Sequence, residues 1–542
     1  MNGKWLTVKG WAARLLKTVG LAILLLFLVQ QAGAEPEWQR KVDPSLLAEV
    51  LAKPAGDGAA QAEFLVRLAV QADLSAAAEI ADKTAKGAFV YDQLTAVAQQ
   101  TQAPLLAQLA GMGVEAVRPY WITNMVWVRS DLDTIAAMAQ RDDVAFVYAN
   151  PQVALDVLPP ENEEVGLRET AVGAVGAVSA VEWNISHIRA DTVWKLGFTG
   201  QGVVIGGQDT GYDWDHPALI NQYRGWDGSS ADHNTNWHDA IHTLTFANIC
   251  GVDSPEPCDD DDDSHGTHTM GTMIGNDLAP SADGWPSAAA NAIGVAPGAR
   301  WIGCRNMEIG NGTPATYSEC YEWFVAPYPL GGDPMTDGDP SKAPHVINNS
   351  WSCPVSEGCT TPDILETVVN NVRAAGIVTV HSAGNDGANC GTVQDPAATY
   401  TASFSVGATD SNDNIAGFSS RGPSTFDGGL KPDISAPGVS IRSAFRGGSY
   451  IGGYQGTSMA GPHVAGLVAL LISANPALAG DVDAIETILQ ETAVPRTTSQ
   501  GCGGDGPTDV PNNVYGYGRI DALLPIVEQF PQKQFLPFST GQ

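Results

Sequence analysis

An acid, a histidine and a serine stand in chain order at Asp209, His265 and Ser458, each among small residues at the edge of an apolar segment. Asp209 closes the apolar run Val203-Val204-Ile205 and opens Asp209-Thr210-Gly211. A carboxylate at the end of a strand is well placed to orient an imidazole. Alone, Asp-Thr-Gly is also an ordinary turn, and a single copy does not make a paired-carboxylate site. His265 begins Ser264-His265-Gly266-Thr267-His268-Thr269, whose small residues let a helix pack closely. His265 and His268 have a metal-ligand spacing, but a zinc hydrolase needs a glutamate where Gly266 stands, so His268 reads as structural. Ser458 follows Gly456-Thr457 and opens an apolar helix running through Ala465 to Ser473, with Pro462 marking its first turns. A serine there is either an N-cap or a nucleophile beside the positive end of the helix dipole.

To bring these residues together, the chain must supply strands that end at one edge. The runs Val203-Val204-Ile205, Ala299 to Gly303, His345-Val346-Ile347, Ile377 to Val380 and Phe404-Ser405-Val406 alternate with helical stretches. This implies an α/β fold with a mostly parallel, buried sheet and helices on both faces. Ahead of it, Ala62 to about Leu155 reads strand, helix, strand, strand, helix, strand. The expected pieces are a strand at Glu63 to Leu68, a helix from Tyr91 to Met112, extended runs Val114 to Tyr120 and Ile122 to Val128, a short helix from Asp131 and a strand at Val144 to Tyr148. Such an order suits a small ferredoxin-like α+β unit. Between Pro159 and Ala180 the chain turns Pro-, Glu-, Gly- and Ala-rich without periodicity, the composition of an exposed, cuttable linker.

The 542 residues exceed what one core supports. Acids outnumber bases 60 to 28, a net charge of −32, which excludes a nucleic-acid surface because phosphate binding relies on clustered Lys and Arg. Lys4, Lys9, Arg14 and Lys17 precede the apolar run Val19 to Val29 and the small residues Ala32-Gly33-Ala34. That is a signal peptide's layout, with cleavage expected before Glu35 and no stable membrane anchor afterwards. The 8 cysteines all lie in the second part of the chain and suggest disulfides; Cys250 with Cys258 and Cys353 with Cys359 are near enough to close small loops, and the pairing stays open.

A fourth segment, Ser382-Ala383-Gly384-Asn385-Asp386-Gly387, completes the set. Together with the segments around Asp209, His265 and Ser458 it resembles the subtilisin-like serine proteases, the subtilases of peptidase family S8, over about Trp183 to Val527. The resemblance implies a secreted serine endopeptidase that works through an acyl-enzyme. Ser458 is its nucleophile, His265 its base, Asp209 the orienting acid and Asn385 the side-chain donor of the oxyanion hole. Ser350-Trp351-Ser352 and Gly310-Asn311-Gly312 match the family's two substrate-binding strands, between which a peptide would lie. It implies a signal peptide over residues 1–34, an inhibitory and chaperoning pro-domain over 35–155, a linker with the processing site over 156–182, the peptidase domain over 183–531 and a tail over 532–542. Protein or peptide substrates and the chain's own pro-domain are the implied partners, on a monomer, with no cofactor for catalysis.

Departures from the family pattern matter. Ala218 stands where many subtilisins carry a calcium-binding acid two residues after His-Pro, and the loop before Gly294-Val295-Ala296-Pro297 is altered, so the site of any structural calcium is unknown. The run Asp259 to Asp263 either binds calcium or is a solvated acidic loop, with the loop favoured. Asp386 and Gln394-Asp395-Pro396, at the family's pocket-lining segment, favour basic substrate side chains if they face the substrate and nothing if they point to solvent. An esterase elbow is excluded because Ala460 stands where its second glycine would be. A catalytically inactive subtilase fold used for binding is the remaining alternative.

Overall fold

In the N-terminal unit the strand β1 (Ala62–Leu68) alternates its side chains between two cores. Phe64 and Val66 point to one face, where they meet Leu105 and Leu109 of α1 (Lys83–Gly111) and Ile135 and Met138 of α2 (Leu132–Ala139). Leu65 points to the other, against the C-terminal domain. With β2 (Val117–Tyr120), β3 (Met125–Ser130) and β4 (Val144–Ala149) it forms an antiparallel sheet of order β2-β3-β1-β4, the expected α+β unit. The helix α1 starts eight residues ahead of Tyr91, at Lys83, where the Asp82 carboxylate accepts the Ala85 amide at 2.8 Å. Residues 121–124 form a turn, so β3 begins at Met125 and not at Ile122. The short helix Pro44–Ala52, which sequence periodicity did not reveal, covers this unit with Leu46 and Val50. The structure is a computed structural model and describes residues 36–52, 61–158, 169–170, 181–277 and 291–530. The expected leader and its cleavage site and the expected C-terminal tail lie outside the described residues, as does most of the expected linker.

The C-terminal domain is built on a parallel sheet. Its strands are β5 (Val204–Asp209), β6 (Trp237–Asp239), β7 (Arg300–Arg305), β8 (Val346–Asn349), β9 (Val378–Ser382), β10 (Phe404–Thr409) and β11 (Ile434–Pro437), in the order β11-β10-β9-β8-β5-β7-β6. β6 and β11 are short and polar enough that the apolar-run reading overlooked them. Consecutive strand residues serve opposite faces: Val346 packs with the helices α3 (His265–Ile274) and α6 (Thr457–Ala474), Ile347 with α4 (Pro314–Val325) and α5 (Glu366–Ala374). Both faces of a parallel sheet are covered, which is why its strands read as apolar runs. α6 is apolar and long enough to cross a membrane, yet 89% of it is buried beneath the sheet, as a core helix is.

The two units share a core. Leu65, Tyr91, Trp121 and Tyr148 pack with Tyr317, Trp323 and Val368 of the α4 and α5 face. Buried Glu322 of α4 accepts the Trp121 and Ile122 amides at 2.6 and 3.0 Å, and Arg118 reaches Glu319 at 2.6 Å. Asn150 accepts the Ala315 amide at 3.0 Å in the first turn of α4. Disulfides join Cys250 to Cys258, Cys304 to Cys320, Cys353 to Cys359 and Cys390 to Cys502. The first and third close the small loops their spacing allowed; the last ties residues 112 apart in sequence.

Candidate active site

Asp209 is the last residue of β5, at the carboxyl edge of the sheet beside the point where the strand order turns, the usual place for a site in such folds. α3 runs behind it and begins with His265. Gly266 permits this approach: a side chain there would stand 2.2 Å from the Gly211 carbonyl. The glycine that argued against a zinc motif is thus required by the packing of α3 on the Asp209 turn. His265 Nδ1 lies 2.7 Å from Asp209 Oδ1, both groups buried. Asp209 also accepts the Thr210 amide at 2.8 Å, which fixes its carboxylate.

Burial pushes the His265 imidazole down, but Asp209, through charge and hydrogen bond, and then Asp261 and Asp259 outweigh it, so its pKa is raised. His268 is fully buried and stacked on Tyr454 at 4.6 Å, and burial takes it down to about 3. It is held neutral in the core and is no partner of the site.

Ser458 is the second residue of α6; the N-cap is Gly456 at φ 148°, in a region that disfavours other residues, and it brings no side chain of its own to the helix start. The N-cap reading of Ser458 is therefore wrong. Its hydroxyl donates to the Ser350 carbonyl at 3.3 Å, while buried His265 Nε2 has no hydrogen-bond partner. The Ser350 hydroxyl in turn donates to the Ser458 carbonyl at 3.1 Å and is itself held by Asn348. Asn385 Oδ1 accepts from the Thr457 amide and hydroxyl at 2.9 and 3.0 Å, which turns its Nδ2 outward. That Nδ2 donates to the carbonyl of Asp156 at 3.5 Å.

Asp156 arrives there as part of an added strand. Val153 and Ala154 pair antiparallel with Gly312 and Asn311, and the Leu155 amide donates to the Gly310 carbonyl at 2.7 Å. Beyond the site, Leu158 bridges to Gln455. The Gly310-Asn311-Gly312 side of the groove is thus occupied by the end of the N-terminal unit. Ser350, Trp351 and Ser352 line the pocket below Asp156, but they follow the end of β8 and form no ladder with the added strand among the described residues.

The reading of Asp259 to Asp263 as a solvated loop is corrected. Asp259, Asp260 and Asp261 are buried: Asp259 bonds Thr210 and Thr267, Asp260 pairs with buried Arg305 at 2.9 Å, and Asp261 accepts the His265 amide at 3.1 Å. Asp262, whose side chain is 92% exposed, and Asp263 are the surface acids of the run. Each buried carboxylate accepts from a protein donor, and Ala218 is a buried apolar residue that offers no ligand. Among the described residues no three His, Cys, Asp or Glu side chains gather as metal ligands. Alternation and motif spacing could not have separated these acids from a solvated run, because their partners lie elsewhere in the chain: Arg305 is 45 residues from Asp260 and Thr210 is 49 from Asp259.

Residues 200–518 match the model of the subtilase family, peptidase S8. The chain is 37% identical over 450 residues to bacillopeptidase F of Bacillus subtilis (strain 168); this covers 81% of the chain and 28% of that protein. It is 32% identical over 349 residues to subtilisin Savinase of Lederbergia lenta, covering 63% of the chain and 97% of the relative. To the M-protease of Shouchella clausii (strain KSM-K16) it is 29% identical over 407 residues, covering 72% and 84%. The chain therefore spans about a quarter of the length of one of these relatives and most of the other two.

Proposed function

This chain belongs to the subtilase family of serine endopeptidases, and from that premise we propose that it is an exported precursor that cuts itself after Asp156 and then hydrolyses other proteins. Residues 35–156 are the inhibitory pro-segment and the domain from about Trp183 onward is the peptidase. The disulfides fit an oxidising compartment. The enzyme needs no cofactor for catalysis and works as a monomer.

Ser458 Oγ leaves its bond to Ser350 and attacks the Asp156 carbonyl carbon, while His265 Nε2 takes the hydroxyl proton. Asp209 holds the other nitrogen protonated and stabilises the imidazolium. The oxyanion is received by Asn385 Nδ2 and the Ser458 amide at the start of α6, donors that strengthen as charge develops. The C–N bond to Val157 breaks and His265 returns its proton to the leaving amine. Water, deprotonated by the same imidazole, then releases the acyl group. Other proteins enter as the pro-segment does, adding a strand beside Asn311 and Gly312.

The observation that carries this reading is the approach of Asn385 Nδ2 to the carbonyl of Asp156, two residues beyond the strand Val153–Ala154 that pairs with Gly312 and Asn311. The test is to express Ser458→Ala and wild type in a host without other extracellular proteases and compare masses. Wild type should yield one fragment ending at Asp156 and one beginning at Val157, which co-purify; Ser458→Ala should stay uncut. Equal cutting of both would mean that another enzyme does the processing.

A further inference from the structure

The pocket beneath Asp156 encloses about 280 Å³ and its charged lining is entirely acidic: Asp156 itself, Glu357, Asp386 and Asp395. Lys, Arg and His are absent from that lining among the described residues. Asp395 is only 7% exposed and its Oδ1 is buried without a hydrogen-bond partner. Its neighbour within hydrogen-bonding reach is another carboxylate, the exposed Asp386 at the rim. A buried carboxylate oxygen without a partner is costly, and a cationic group arriving from outside is one way such a cost is met.

Resting on the proteolytic reading above, we propose that Asp395, supported by Asp386 and Glu357, makes this protease select a Lys or Arg side chain at the residue before the cut. The position of the Asp156 carbonyl at Asn385 identifies the pocket as the one taken by that residue. A guanidinium or ammonium would give the free Asp395 oxygen a donor and relieve the repulsion among the acids, whereas Leu or Phe would bury that oxygen unpaired. Burial, followed by the charges of Asp386, Glu357 and Asp156, pushes the Asp395 carboxyl up to about 7, as befits an acid pair lacking its cation. Asp156 is the wrong side chain for such a pocket. Tethering lets it be cut once nevertheless, because a linked segment reaches the site at high effective concentration. Once the bond is broken, its carboxylates are repelled and the pro-segment's end leaves.

The experiment measures kcat/KM of processed wild type on peptides that differ only in the residue before the cut. Arg and Lys should exceed Leu and Phe by at least about tenfold, a conservative floor beneath the roughly 10⁴-fold by which a site with a matched polar partner can reject an analogue that lacks it. Asp395→Asn should bring the Arg-to-Leu ratio down by about tenfold or more, largely through KM for Arg. Asp386→Asn, at the exposed rim, lowers it less and guards against a folding failure of the buried variant. Leu or Phe favoured over Arg by wild type, or an unchanged ratio in folded variants, overturns the proposal. Labelling of Ser458 by a fluorophosphonate separates the two readings: labelled enzyme that favours Leu refutes the specificity alone, while protein that neither labels nor cuts any peptide refutes proteolysis with it.

Discussion

Replacing Asn385 by Ala removes two different things. Its Oδ1 accepts the Thr457 amide at 2.9 Å and the Thr457 hydroxyl at 3.0 Å, and its Nδ2 donates to the Asp156 carbonyl at 3.5 Å. The first loss leaves a helix-terminal amide to water and costs about 1 kcal/mol of stability, as loss of a cap does. The second bond is at the long limit of a hydrogen bond in this state, so it contributes little to binding. It counts when the carbonyl oxygen becomes an oxyanion and draws closer. One such donor is worth roughly 2.7–4 kcal/mol in the transition state, so kcat should fall by about a hundred- to a thousandfold with KM nearly unchanged. The assay is steady-state cleavage of a chromogenic peptide, normalised by active-site titration. Conversion of the precursor, followed by mass, should slow in the same proportion if chemistry limits it. A kcat within about threefold of wild type, in a protein that folds, would remove Asn385 from the oxyanion hole.

Other expectations concern charge and cross-links. His265 must be neutral to act as base and its pKa is raised, so activity should be lost on the acid side at a higher pH than for an ordinary histidine. Asp261→Asn keeps an oxygen for the His265 amide but removes one raising charge, so the acid limb of the kcat profile should move to lower pH; an unmoved limb would contradict this. Arg305 is buried between Asp239 and Asp260, so Arg305→Met strands both acids and should cost about 3–5 kcal/mol in denaturant unfolding, measured on a Ser458→Ala background. Glu322→Ala breaks the hydrogen bonds to the Trp121 and Ile122 amides, and the cleaved pro-segment should dissociate about tenfold or more readily on a size-exclusion column. Serine at both Cys390 and Cys502 opens a loop of 112 residues and should lower stability by up to about 4–5 kcal/mol in the chain-entropy picture, read as a fall in melting temperature.

What could be read from sequence was what has a period or a local motif. The five central strands of the parallel sheet announced themselves because burial on both faces leaves unbroken runs such as Val346-Ile347. The positions of Asp209, His265 and Ser458 followed from their glycine-rich settings, since close backbone approaches leave a mark in composition. The first turns of α1 did not show, because Gly87 there lies against Pro340 of the other unit and its face is chosen by a neighbour far along the chain. The buried state of Asp259, Asp260 and Asp261 was hidden for the same reason: an acid run looks solvated until Thr210 is placed beside Asp259, Arg305 beside Asp260 and the His265 amide beside Asp261. The contact between Asp156 and Asn385 joins residues 229 apart, and its extended approach has no local signature.

The antiparallel seat of Val153 and Ala154 on Gly312 and Asn311 has a consequence for any protein this enzyme meets. A chain can take that seat only as a bare strand of about four or five residues with its backbone groups free, a state that helices and interior strands deny. The rate at which a folded protein is cut will then follow how often it frays at that segment. Sites deep in stable elements survive, while termini, loop tips and destabilised variants are removed first. Such an enzyme surveys the fluctuations of its neighbours as much as their sequences.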